Sequence, residues 1–125
     1  MDVQSKAGEL AAYTIGNALK EKIVPKRDRW ALGTRLVDTA LELATRIDTA
    51  NTLRLDHPEE AARRLLEQRL ALAATFRLMT LVHTARSLTH FDEAVHRHWT
   101  ELVGEEQGLL RGWMDSDRRR CRSPD

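Results

Sequence analysis

Apolar residues recur at intervals of three and four along most of this chain, which is the spacing of an amphipathic helix. No stretch alternates apolar and polar residues for long enough to indicate a strand. Breaks in the pattern divide the chain into four segments, so we predict helices over about residues 5–22, 27–50, 58–87 and 90–117. The hydrophobic pattern therefore favours an all-α fold.

The predicted helix boundaries depend on local signals. Pro25 disfavours helical geometry at the residue before it and so ends the first helix. Asn51 and the polar stretch after it end the second helix, and Pro58 before two glutamates starts the third. Thr89, three residues before Asp92, has the spacing of a capping box and starts the fourth. Short connections favour antiparallel neighbours, so these helices should form an up-down antiparallel four-helix bundle.

The same spacing predicts which side of each helix is buried. The third helix has apolar residues over a broad arc, whereas the other three each present one stripe. The predicted core stripes are Gly8, Ala12, Ile15, Leu19 and Ile23 in the first helix; Trp30, Gly33, Leu36, Val37, Ala40, Leu43, Ala44 and Ile47 in the second; and Val95, Trp99, Leu102, Leu109 and Trp113 in the fourth. At 125 residues the chain has the length of one domain, which we place at residues 1–120, followed by a disordered basic tail over 121–125.

Composition excludes several classes of protein. The single cysteine, Cys121, permits neither an internal disulfide nor a zinc site built from clustered cysteines. The longest apolar stretch, from Leu70 to Phe76, is far shorter than the ~20 residues of a membrane-spanning helix. The first residues contain no apolar run of the kind found in a signal peptide. We therefore expect a soluble, cytoplasmic protein with no membrane partner.

Catalytic signatures are also missing from the sequence. It contains no nucleophile elbow, phosphate loop, nucleotide-binding glycine motif or zinc-protease motif, so we expect no catalytic residues, no cofactor and no enzyme activity. Glu93 and His96 have the Glu-x-x-His spacing that supplies half of a di-iron carboxylate site, but the chain has no second copy. We therefore expect no metal site. A metal-dependent bundle enzyme using these two residues stays open as an interpretation from a different class.

Charge is balanced overall, at a formal +1, but it alternates in blocks along the chain, and residues 20–37 carry six basic residues against two acidic ones. A basic block of this kind suits phosphate, and the preference for arginine over lysine suits bidentate contacts. Aromatic residues are too few for a base-stacking platform, so nucleic-acid contact should be mainly to backbone phosphate. The candidate binding residues for nucleic acid are Lys22, Lys26, Arg27, Arg29, Arg35, Arg77, Arg118, Arg119 and Arg120.

Three glycines, Gly104, Gly108 and Gly112, lie four residues apart and therefore share one face of the fourth predicted helix. Each costs about 0.8–1 kcal/mol relative to alanine inside a helix. One explanation is close packing against a neighbouring helix or a neighbouring subunit, with Trp113 beside the contact. The other explanation, an exposed face near a fraying helix end, stays open.

The order and spacing of several short segments, over about residues 10–120, resemble a known family. The segments are Ile23-Val24-Pro25-Lys26-Arg27, Leu32-Gly33, Leu41-Glu42-Leu43, Ile47-Asp48-Thr49-Ala50, Leu70 to Phe76 before Arg77, Leu102-Val103-Gly104-Glu105 and Leu109-Leu110-Arg111-Gly112-Trp113. They are similar to Avd, the accessory variability determinant of diversity-generating retroelements. Avd belongs to a wider four-helix-bundle group that includes ribosomal intervening-sequence proteins.

The resemblance implies a homopentameric barrel of four-helix bundles that binds a reverse transcriptase and the template RNA or its hybrid with cDNA. Such a complex makes adenine-mutagenised cDNA that diversifies a target gene, a process called mutagenic retrohoming. Lys26 and Arg27 match the basic loop of the family, Arg77 its third-helix arginine, and Trp113 its closing tryptophan. This chain departs from the family pattern in its near-zero net charge and in Leu81, where a second arginine occurs in the family. These departures imply that RNA contact is either narrower in this chain or made chiefly by the polymerase.

Two hypotheses follow for the function. The first is a non-catalytic accessory protein that scaffolds a reverse transcriptase and its RNA. The alternative is an oligomeric four-helix-bundle protein that associates with RNA or the ribosome and has no connection to a retroelement.

Overall fold

A computed structural model of the chain describes residues 1–122. Its four helices are α1 (Asp2–Ala18), α2 (Thr34–Thr52), α3 (Pro58–Thr89) and α4 (Glu93–Arg122). A short 3-10 turn, Lys26–Asp28, and a π-helical turn, Arg29–Gly33, lie between α1 and α2. No strand occurs in the described residues, so the all-helical prediction is confirmed for them.

Each helix packs against two others. The contacts join α1 to α2, α2 to α3, α3 to α4 and α4 back to α1, which closes a four-helix bundle. Lys6, early in α1, pairs with Glu105 at 2.8 Å, whereas Thr14, later in α1, accepts a hydrogen bond at 3.0 Å from the indole of Trp99, which lies earlier in α4. The two helices therefore run antiparallel. No helix within residues 1–122 is both long enough and apolar enough to cross a membrane.

The predicted core stripe of α1 is wrong for most of its members. Gly8, Ala12 and Leu19 are exposed, and only Ile23, beyond the helix, is fully buried. The stripe that faces the core is the neighbouring one, with Val3, Ala7, Leu10, Ala11, Thr14, Asn17 and Ala18. The two stripes lie side by side on one helix, and the contact of Thr14 with the Trp99 indole fixes the one that contains Val3 and Leu10 towards the interior. α1 ends at Ala18, four residues before its predicted end, because the chain then turns and buries both Ile23 and Val24.

Trp30 is the largest departure from the predicted core of the second helix, because its side chain is 87% exposed. The regular helix starts only at Thr34, so the helical spacing read from Trp30 does not apply to the π-helical turn that contains it. The rest of the stripe is confirmed at Leu36, Ala40, Leu43 and Ile47, which are completely buried, and at Gly33. A methyl group at Gly33 would lie 3.6 Å from the carbonyl oxygen of Ala18, an ordinary van der Waals contact, so this turn packs against the end of α1 without requiring glycine.

The predicted capping box between α3 and α4 is also wrong. Thr89 is the last residue of α3, and its hydroxyl donates to the carbonyl of Ala85 at 3.0 Å. His90 then adopts a left-handed conformation with φ 53°, which stops the helix. Asp92 caps α4 without Thr89, since its carboxylate accepts a hydrogen bond from the Ala94 amide at 3.0 Å.

α4 continues beyond its predicted end at residue 117 because Asp117 is anchored in the bundle. Arg64 of α3 donates two hydrogen bonds to the Asp117 carboxylate, at 2.7 and 3.1 Å, and Gln68 donates a third at 2.6 Å. These contacts hold the last turns of α4 on α3. Cys121 and Arg122 of the predicted tail therefore belong to the helix, and residues 123–125 lie outside the described residues.

Candidate nucleic-acid interface

Five basic residues lie in the connection between α1 and α2, which we call the basic loop (residues 19–33). They are Lys20, Lys22, Lys26, Arg27 and Arg29, against the acidic Glu21 and Asp28. The connection is held in shape by its own contacts, because Glu21 accepts the Lys26 amide at 3.0 Å and Arg29 donates to the Leu19 carbonyl at 2.8 Å. The Arg29 guanidinium also lies 3.6 Å from Glu21. Arg29 therefore stabilises the loop through internal contacts and is less available to an external anion.

The other basic side chains of the loop point into solvent. Lys20, Lys22 and Lys26 are exposed and form no ion pair with any residue of the described chain. Arg27 is 80% exposed and only loosely paired, with its guanidinium 3.6 Å from Asp28. These four cations are available to an external anion.

Trp30 stands in the middle of this basic surface. Its indole is more exposed than any other large apolar side chain of residues 1–122, and Leu19 in the same loop is 64% exposed. Burying an aromatic side chain ordinarily contributes about 1.5–3 kcal/mol to the stability of a fold. Trp30 does not make this contribution within the chain, so its indole is free to be buried against a partner. Helical spacing predicted that Trp30 is a core residue, so its exposure was not expected from the sequence. Its position five residues after Pro25, among charged residues, was the signal that it belongs to a loop.

Arg35 and Arg77 line a shallow groove between α2 and α3, and Arg35 lies only two residues beyond the basic loop. Arg77 donates to Glu42 at 2.7 Å, so its charge is already balanced within the chain. The groove is lined by Arg35, Asp38, Thr39, Phe76, Arg77, Thr80 and Leu81. Its charge is mixed, which makes it a weaker phosphate site than the basic loop.

Arg118, Arg119 and Arg120 lie at the opposite end of the bundle. The hydroxyl of Tyr13, near the end of α1, donates to the Val95 carbonyl at 3.5 Å, so the basic loop lies near the start of α4. A helix rises about 1.5 Å per residue, so roughly 37 Å separates the first residue of α4 from Arg118. Arg118 pairs with Asp115 at 3.0 Å and Arg120 lies 3.9 Å from Asp117. The nine predicted residues therefore do not form one surface, because Arg118, Arg119 and Arg120 lie far from the other six.

The three α4 glycines face outward. A methyl group built on Gly104, Gly108 or Gly112 would have no atom within 4 Å in the described chain, so close packing inside the bundle does not explain them. Trp113 behaves differently, because it is half-buried against the core and the Arg64 guanidinium lies 5.1 Å from its ring centre. What remains for the glycine row is a neighbouring subunit or a solvated face.

A pair of histidines joins α3 and α4 near the basic-loop end of the bundle. Nδ1 of His83 lies 3.1 Å from Nε2 of His96, and the ring centres are 5.2 Å apart. The pKa of His96 is lowered, chiefly by burial and then by the charges of His83 and Arg86. Within residues 1–122 no three His, Cys, Asp or Glu side chains are grouped around a common point, so Glu93 and His96 are not part of a preassembled di-iron set.

Comparison with models of known protein families, with curated proteins and with solved structures finds no match to this chain. The indications of function therefore come from the chemistry of its surfaces. Among them, the basic loop combines exposed cations with an exposed aromatic side chain.

Proposed function

We propose that this chain is a non-catalytic RNA-binding accessory protein that contacts the phosphate backbone through the basic loop. The observation that carries the proposal is the 87% exposed Trp30 beside cations that have no strong partner in the chain. Lysine and arginine supply affinity for phosphate, and an exposed indole stacks on an unpaired base with little sequence preference. Single-stranded RNA offers both groups at once.

The specific form of the proposal is an accessory protein of a diversity-generating retroelement, which binds the reverse transcriptase and template RNA and supports mutagenic retrohoming. The resemblance to Avd in the sequence supports it, as does the position of Lys26 and Arg27 in the exposed loop. We propose further that the chain assembles as a homopentameric barrel, with the outward glycine row of α4 at the contact between subunits. In a ring whose axis runs parallel to the helices, all five basic loops would lie on one rim and bind one RNA together.

Titration of fluorescein-labelled single-stranded RNA, followed by anisotropy at several salt concentrations, tests the RNA contact. The variant K22E/K26E/R27E should lose at least tenfold in affinity, and removing three phosphate contacts should reduce the slope of log K against log salt by about 2. The matched control, R118E/R119E/R120E, changes the net charge by the same amount at the far end of the bundle. It should bind RNA nearly as well as the wild type.

The same titration with W30A separates stacking from charge. Loss of one stacked base weakens binding by about 1–3 kcal/mol and leaves the salt slope unchanged. Trp99 is buried and Trp113 half-buried, so quenching of tryptophan fluorescence on RNA binding should be largely lost in W30A. Equal weakening by both triple variants, or no RNA binding by the wild type, would rule out the basic loop as the interface.

Reconstitution with a reverse transcriptase distinguishes the retroelement hypothesis from its alternative. Purified protein, a retroelement reverse transcriptase and its template RNA should co-elute as one complex, and K22E/K26E/R27E should fail to join it while keeping its helical circular dichroism. If the protein binds RNA but never joins the polymerase, an RNA- or ribosome-associated protein without a retroelement is the better assignment.

A further inference from the structure

The histidine pair between α3 and α4 brings two imidazole nitrogens, each able to coordinate a metal, within hydrogen-bond distance of each other. His83 lies about two turns before the end of α3, and His96 lies in the first turn of α4. The helices run antiparallel here, and the turn at His90 and Phe91 brings the two side chains together. The two ring nitrogens that face each other, Nδ1 of His83 and Nε2 of His96, are 3.1 Å apart.

We propose that His83 and His96 bind one late first-row divalent ion, Zn²⁺ or a related metal, between the third and fourth helices. Imidazole nitrogens coordinate Zn²⁺ at about 2.0–2.1 Å. Nitrogens 3.1 Å apart would therefore hold the ion at an N–metal–N angle of about 100°, which is close to tetrahedral. The site is accessible, since His83 is exposed and His96 half-buried.

Two histidines leave the other coordination positions of the ion open. Glu93 lies one turn before His96 on the same face of α4 and is loosely held by Arg97 at 3.7 Å. In the described residues Glu93 is not grouped with the two histidines, so it would join the site only by changing rotamer, and water would otherwise supply the remaining ligands. The nearest competing cation, Arg86, is directed to the Phe91 ring, with its guanidinium carbon 5.8 Å from the ring centre.

A bound ion would link the last turns of α3 to the first turn of α4, at the end of the bundle that also carries the basic loop. Since metal binds the folded site and not the unfolded chain, it should stabilise the fold by mass action. The inference is independent of RNA binding, because none of its ligands belongs to the basic loop.

Isothermal titration of the full chain with zinc chloride, at pH 7.5 and in a buffer that does not bind zinc, tests the proposal. We expect one Zn²⁺ per chain and a rise in melting temperature that grows with the zinc concentration. The variants H83Q and H96Q should each weaken binding by at least about tenfold. E93Q should weaken it less, and acidification should weaken binding, because a protonated imidazole nitrogen cannot coordinate a metal.

H57Q is the matched control, because His57 is an exposed histidine at the opposite end of α3. It should bind zinc like the wild type. Nitrogen-15 spectra of the imidazoles should show zinc-dependent shifts at His83 and His96 and not at the other three histidines. Absence of zinc binding by the wild type, or binding that H83Q leaves unchanged, would mean that the pair is only a hydrogen bond between helices.

Discussion

Glu106 is the most unusual single residue of the fold. Its side chain is completely buried on α4, and neither carboxyl oxygen has a hydrogen-bond partner within the described residues. Burial raises its pKa to about 8, against a smaller lowering by the charge of Lys6. A carboxyl group in this position carries its proton at neutral pH, because an unpaired buried charge would be far more unfavourable.

This raised pKa predicts how stability changes with pH. In the unfolded chain Glu106 loses its proton near pH 4.5, whereas the folded protein keeps it to about pH 8. The contribution of Glu106 is therefore most favourable below about pH 4.5 and declines as the pH rises towards 8, by about 1.4 kcal/mol per pH unit. We expect denaturant unfolding of wild type and E106Q at pH 5, 6.5 and 8 to show this. The free energy of unfolding of E106Q, relative to that of the wild type, should increase with pH, because glutamine does not titrate.

The control for this measurement is E105Q. Glu105 is the neighbouring residue, half-exposed and paired with Lys6 at 2.8 Å, so its loss should change stability by less than about 1 kcal/mol. Parallel stability profiles for wild type and E106Q across the three pH values would show that the Glu106 carboxyl is not retained in its protonated form.

The spacing of apolar residues does not place the residues that matter most at this scale. Trp30 and Glu106 occupy positions opposite to those that their chemistry predicts, one aromatic and exposed, the other acidic and buried. The contact of His83 with His96 depends on the register between α3 and α4. That register is set by the buried Arg64–Asp117 pair at one end and the left-handed turn at His90 at the other. Neither follows from spacing within a single helix.

At the scale of helices, the sequence predicted the number and order of the helices better than it predicted which side of each helix faces the core. Proline and polar residues mark the α2–α3 connection clearly, and Pro58 is the first residue of α3 as predicted. α1 was harder, because it has apolar residues on two adjacent stripes and helical spacing does not decide which one packs inward. The choice is made by the other three helices, since Thr14 on the buried stripe accepts the Trp99 indole hydrogen bond.

The outward stripes that the bundle leaves on α1 and α4 differ in what they imply. Gly8, Ala12 and Leu19 include one large exposed side chain, whereas the α4 row consists of glycine alone. Glycine in an exposed helical position lowers stability and exposes backbone. In the proposed pentamer a second backbone would approach this face; without a neighbouring subunit it is a solvated face of α4.

At the scale of the whole molecule, the proposed pentamer predicts a mass in solution. One chain is 14.3 kDa, so light scattering after size exclusion at moderate salt should give about 72 kDa for a closed five-membered ring. Alanine adds a methyl group to the face where subunits would meet, so G104A/G108A/G112A should reduce the mass towards that of one chain. As a monomer, the same variant should have a free energy of unfolding about 2–3 kcal/mol higher, because alanine is a better helix former than glycine.

The matched control for the mass measurement is G16A, which makes the same kind of substitution on the exposed face of α1, where a methyl group also meets nothing within 4 Å. It should gain helix stability and keep the mass of the wild type. If the α4 variant retained a mass of about 72 kDa, the ring would be supported, but the contact between subunits would have to lie on another face. A wild-type mass near 14.3 kDa would remove the ring, and RNA would then have to be bound by one basic loop at a time.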